Sequence, residues 1–83
     1  ASHVGSGIME LPLEMGAIAD GKRVRDVRWP SGCLIIGLRR GESEIVPRGD
    51  TRLRAGDYLV VLFSGEGERK VRLAMRRLCD VGL

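Results

Sequence analysis

Two apolar runs, Cys33–Leu38 and Tyr58–Phe63, are each six residues long and each is fenced by turn-forming residues. Ser31-Gly32 precedes the first and Arg39-Arg40-Gly41-Glu42 follows it. Ala55-Gly56-Asp57 precedes the second and Ser64-Gly65-Glu66-Gly67 follows it. Runs of this length between turn signals are strands; the continuous apolar character of Cys33–Leu38 predicts cover on both faces, and Tyr58–Phe63 is the strongest strand of the chain. They fall far short of the roughly 18 apolar residues that a membrane-crossing helix needs. Eighty-three residues make about one domain, so the two strands anchor a single small sheet.

The remaining segments arrange themselves around that pair. Ile8–Met15 alternates apolar and polar residues, the period of a half-buried strand, and Pro12, with no N–H to donate, predicts either an edge strand or an irregular start. Val24 and Val27 are three apart behind Asp20, a residue suited to start a helix, while Pro30 forces Trp29 out of helical geometry. These features predict a helix of about two turns ending at Trp29. Gly37, inside the first run, predicts a bulge or a close backbone approach. Arg39–Glu42 makes the turn of a hairpin whose second strand is Ser43–Val46. Val71, Ala74, Met75, Leu78 and Val81 recur at three- and four-residue spacing, which predicts an amphipathic helix over Glu68–Asp80. Arg69, Arg72, Arg76 and Arg77 fall on its solvated side, Ser64 and the neighbouring acids at its start, and Gly82 at its end. The order β-α-β-β-β-α defines the expected fold class, a small α+β sheet carrying two helices.

The net charge of +3 comes from 14 bases and 11 acids, and 12 of the bases are arginine. The guanidinium fork suits phosphates and carboxylates. Arg23, Arg25 and Arg28 surround the first predicted helix beside Trp29, and Arg48, Arg52 and Arg54 occupy the loop after Pro47. An arginine next to an aromatic ring can hold a phosphate while the ring stacks on a base; equally, Trp29 can be an ordinary packing anchor. Catalysis has no candidate residues. The only histidine, His3, lies within residues 1–7, a small polar stretch that reads as a cloning scar or linker ahead of a domain at 8–83. Ser64 lacks the glycine that leads a nucleophile elbow, and neither a phosphate-cradling glycine loop nor metal-ligand spacing occurs. Cys33 and Cys79 belong to no CxxC and border apolar segments, which reads as two buried thiols, with a disulfide between them left open. The expectation is a domain that is not an enzyme and holds no metal.

One series of short elements is more specific. Glu10-Leu11-Pro12, Gly21-Lys22, Ile36-Gly-Leu-Arg-Arg-Gly41, Glu44-Ile-Val-Pro47, Gly49-Asp50-Thr51 and Leu53-Arg-Ala-Gly-Asp-Tyr-Leu-Val-Val61 succeed one another. At these separations the series resembles the TrkA C-terminal domain, also called the RCK C-terminal domain, over all but the first seven residues. The resemblance implies a β-α-β-β-β-α unit that pairs into a homodimer on the cytoplasmic side of a plasma (inner) membrane. There it would regulate a potassium channel or transporter, or a chloride channel of the voltage-gated type, within the same polypeptide or complex. It implies ligand sensing through dimer geometry, with cyclic di-adenylate or another nucleotide as the ligand. The family's ligand region corresponds here to Arg25, Arg28, Trp29, Pro47 and Arg48. Pairing also makes physical sense, because a small sheet with two short helices struggles to cover its apolar strands alone.

Two other readings compete. A small basic, β-rich DNA-binding domain of a transcription regulator would use the arginines on phosphates. A charge of +3 with the acids interleaved does not favour nucleic acid as a partner. A small barrel that captures oxyanions is the other, and two predicted helices count against it.

Overall fold

In the computed structural model, which describes residues 6–64 and 67–82, the second apolar run lies inside the sheet rather than at its rim. The elements are β1 (Ser6–Pro12), β2 (Cys33–Arg40), β3 (Ser43–Ile45), β4 (Tyr58–Ser64) and α1 (Glu68–Cys79). The strands make one antiparallel sheet in the order β1-β4-β2-β3. The class is α+β, as expected. β1 is an edge strand that ends at Pro12, and it begins at Ser6, so Gly7 already pairs with Phe63. Residues 1–5, His3 among them, lie outside the described residues. The register of β2 on β4 shifts between Ile35 and Gly37, the bulge that the glycine announced.

Alternation along the strands decides which face is covered. Leu59, Val61 and Phe63 of β4 are buried with Met9 and Leu11 of β1 and Leu38 of β2. Val71, Met75 and Cys79 of α1 close over them, and Leu13, Ala17, Ala19, Val27 and Leu53 complete the core. The intervening residues face away. Ile8 and Leu34 are each 61% exposed, Ile36 39% and Leu62 37%. The expectation that β2 is covered on both faces is therefore corrected. One helix can lie on only one side of a sheet, and α1 packs across β1 and β4 on the side of Met9 and Val61.

The first predicted helix is also corrected. Only a single 3-10 turn forms, at Val24–Asp26. The backbone there is committed to a distant loop instead of to itself. Val24 N–H donates to Thr51 O (2.9 Å), Arg25 N–H to Gly49 O (2.9 Å) and Leu53 N–H to Lys22 O (2.8 Å). Asp20 caps no helix; its carboxylate accepts from Gly16 N–H at 2.9 Å and Ala55 N–H at 3.1 Å, pinning two loops together.

The terminal helix forms as its spacing requires, with Val71, Met75 and Cys79 inward and all four arginines exposed. Its ends are made differently from the expectation. Ser64 closes β4, and the N-cap position is Gly67, which provides no side-chain cap. At the other end the loop after β1 supplies the missing donors: Ala19 N–H reaches Leu78 O at 3.0 Å and Glu14 N–H reaches Cys79 O at 2.8 Å. Val81, expected on the inner face, is 56% exposed.

The turn before β4 depends on one glycine. Gly56 has φ +95° with nothing within 4 Å of where a Cβ would stand. Substitution there is a test of backbone strain alone. Gly56→Ala is expected to cost about 1 kcal/mol, read as a lower urea midpoint with an unchanged slope.

Candidate functional site

β3 pairs only with Leu38, Arg39 and Arg40, so Cys33–Gly37 of β2 has no strand on that side. The chain after β3 turns away, and Pro47–Gly49 leaves a shallow cavity of about 220 Å³ beside the uncovered stretch. Trp29, Cys33, Leu34, Pro47, Arg48 and Gly49 line it. Its floor is apolar and its one cation is Arg48. Such a mixture can seat a flat ring against apolar surface while a guanidinium takes an attached anion.

Trp29, Arg48 and Cys33 are each held by hydrogen bonds to near neighbours in sequence. Trp29 is half-buried against the core edge, and its indole N–H donates to Val24 O at 2.9 Å, so the ring is fixed by the 3-10 turn. The packing role and the lining role weighed for Trp29 are thus compatible. Thr51 Oγ1 accepts from Arg48 N–H at 2.8 Å and Thr51 N–H donates to Arg48 O at 3.1 Å, a tight turn that presents the Arg48 side chain outward. Cys33 donates its thiol to Pro30 O at 3.2 Å, and burial pushes that thiol up, away from nucleophilic thiolate.

Of the five residues expected to form the site, Trp29, Pro47 and Arg48 come together around this cavity. Arg25 is at its rim through its backbone bond to Gly49, with an exposed side chain, and Arg28 is exposed and outside the lining. Sequence spacing missed Leu34 and Gly49, which join the cavity only because of where β3 stops. Among the described residues no group of three His, Cys, Asp or Glu side chains stands close enough to hold a metal ion. Both cysteines are free, and burial, followed by the charge of Asp80, pushes the Cys79 thiol up to about 12, which leaves it inert.

A second polar feature is structural. Asp57, 1% exposed, accepts from Arg40 Nε and Nη2 at 2.8 Å each and from Arg54 N–H at 2.9 Å. Burial alone would raise its carboxyl. The Arg40 and Arg54 hydrogen bonds and the charges of both arginines outweigh that and hold it below the usual carboxylate range. Arg40 also donates to Arg52 O at 2.9 Å, so this fork ties the β2–β3 hairpin to the loop that frames the cavity.

Comparison with known proteins agrees with this architecture. Residues 8–76 match the sequence profile of the TrkA-C domain. A Trk system potassium uptake protein TrkA homolog from Archaeoglobus fulgidus is 37% identical over 59 residues, 71% of this chain. The match spans only 14% of that relative's own length. A solved structure described as "Structure of RCK domain with cda" superposes with a TM-score of 0.65 at 28% identity, covering 86% of this chain and 96% of that one. TrkA-C domains form a regulatory family, not an enzyme class. The profile match over residues 8–76, more than four-fifths of the chain, places this protein in the TrkA-C domain family.

Proposed function

We propose that this domain is the cytoplasmic regulatory module of a potassium transport system, in which a small nucleotide alters the geometry of a homodimer. The observation that carries the reading is the position of Leu34. It is 61% exposed on the open face of the sheet and also lines the cavity with Trp29, Pro47 and Arg48. A second copy seated on the open face would lie against the ligand, so occupancy and pairing would bias each other. The potassium reading has support from the TrkA homolog; a chloride-channel host has none of that kind. Cyclic di-adenylate is the first ligand to try, because the similar RCK structure is described as holding cda and because the cavity pairs apolar surface with one guanidinium.

Thermal unfolding with cyclic di-adenylate, adenine nucleotides and divalent cations tests this. A ligand at about a hundredfold excess over its Kd stabilises the folded state by about 2.7 kcal/mol, a rise of about 10–20 °C in a domain this size. Arg48→Ala removes an exposed side chain, so it should abolish the rise while leaving the unliganded midpoint within about 0.5 kcal/mol of the parent. A midpoint indifferent to every nucleotide would end the ligand reading.

A further inference from the structure

The charge of this protein is concentrated on one surface. α1 carries five bases (Arg69, Lys70, Arg72, Arg76 and Arg77) against one acid, Glu68, a net of +4. The whole chain is only +3, so everything outside the helix sums to −1. Among the described residues the acids nearest the helix are already engaged. Glu68 pairs with Arg72 and Asp80 with Arg76, and Glu14 accepts from Val81 N–H. Arg69, Lys70 and Arg77 have no ion pair among the described residues. All five bases are exposed because Val71, Met75 and Cys79 turn the opposite side of the helix into the core.

Apolar side chains stand out of the same part of the surface. Leu73, between Arg69 and Arg77 on the helix, is 50% exposed. The loop that caps the C-terminal end of α1 contributes Met15 at 81% and Ile18 at 55%, beside Val81 at 56%. Gly16 and Val81 sit together there, a Cβ on Gly16 being 3.9 Å from Val81 Cγ2.

We propose that the outer face of α1 and the capping loop form a docking surface for an anionic bilayer. The guanidinium and ammonium groups would meet lipid phosphates while Met15, Ile18, Leu73 and Val81 enter the headgroup layer. Nucleic acid is the poorer fit, because α1 has no aromatic residue on which a base could stack. This surface is on the opposite side of the sheet from the open face of Leu34 and Leu62, so pairing and membrane contact do not compete. The docking surface is separate from the ligand cavity, and lipid contact there does not need a bound ligand.

Co-sedimentation of the 83-residue chain with vesicles tests it. Vesicles of phosphatidylcholine with one-third phosphatidylglycerol should pellet the protein, and pure phosphatidylcholine should not. Raising the salt to about 0.5 M should release most of it. Arg69→Glu with Arg77→Glu should weaken binding at least tenfold without moving the thermal midpoint. Arg69→Gln with Arg77→Gln provides a milder pair if the reversal unfolds. Leu73→Gln should weaken binding severalfold at unchanged charge. Equal binding to neutral and anionic vesicles, or full binding by the folded Gln pair, would overturn the proposal. So would random duplex DNA displacing the vesicles at equal phosphate concentration.

Discussion

Asp57→Ala is expected to cost about 3 kcal/mol, the largest loss of stability from a single polar side chain among the described residues. Asp57 is 1% exposed and accepts three hydrogen bonds, two from Arg40 and one from Arg54 N–H. Truncation leaves the Arg40 guanidinium without its anion and the Arg54 N–H without its acceptor. Arg40 is itself 30% exposed, so water recovers part of its charge, which places the cost at the low end for a buried pair. Asp57→Asn keeps the shape and one acceptor oxygen and should lose about half as much. The carboxyl is held below its ordinary value when folded, so the unfolded chain binds the extra proton. Its contribution is therefore complete above about pH 4 and is lost as pH falls through the depressed folded value. Urea unfolding at neutral pH and near pH 3 gives both measurements. The parent should lose stability on acidification and the alanine variant should lose less. Equal acid sensitivity in the two proteins would show that Asp57 is not the group responsible.

Neither partner of that ion pair was singled out by local pattern, although a lone acid directly before a long apolar strand was a usable signal. The segments that were legible are those whose pairing follows from their own periodicity: β1 at an edge with its proline, the bulge at Gly37, the hairpin at Gly41 and the inner face of α1. The segment 20–29 misled because its spacing of Val24 and Val27 fits a helix, while its N–H groups are claimed by Thr51 and Gly49 from far along the chain. No local rule contains that competition. β2 misled for another reason. An unbroken apolar run states that both faces avoid water but not what covers each one. Here α1 covers the side of Leu38, and Leu34 and Ile36 remain open. The cavity was half legible in the same sense. The Ile-Val-Pro segment and Trp29 were identifiable as a region, but the early end of β3, which opens the edge of β2 to them, was not.

Leu34→Glu is expected to abolish self-association while leaving the fold intact. On the open face Ile8, Leu62 and Leu34 lie in one cross-strand row, joined by the registers Ile8–Leu62 and Leu34–Leu62. Ile36 and Val60 extend the row toward Glu10 and Arg39, which are paired at 2.9 Å, with the Arg39 guanidinium 5.3 Å from the Tyr58 ring centre. An apolar strip that carries both charges of an ion pair at one end is self-complementary in kind, since a two-fold partner presents the same strip and the same two charges. Two-fold symmetry also doubles the effect of a substitution, placing two new carboxylates in the interface. Even a few kcal/mol for the pair corresponds to at least a hundredfold loss of affinity. Leu34 is 61% exposed in the single chain, so the variant's own stability should change by less than about 0.5 kcal/mol. Sedimentation velocity over a concentration series separates the cases. The parent should move from monomer to dimer as concentration rises, and Leu34→Glu should remain monomeric with an unchanged thermal midpoint. Lys70→Glu, on the far side of the sheet, should dimerise like the parent. A parent that stays monomeric at millimolar concentration would remove the pairing step, and with it the route by which a ligand beside Leu34 could be felt by a second copy.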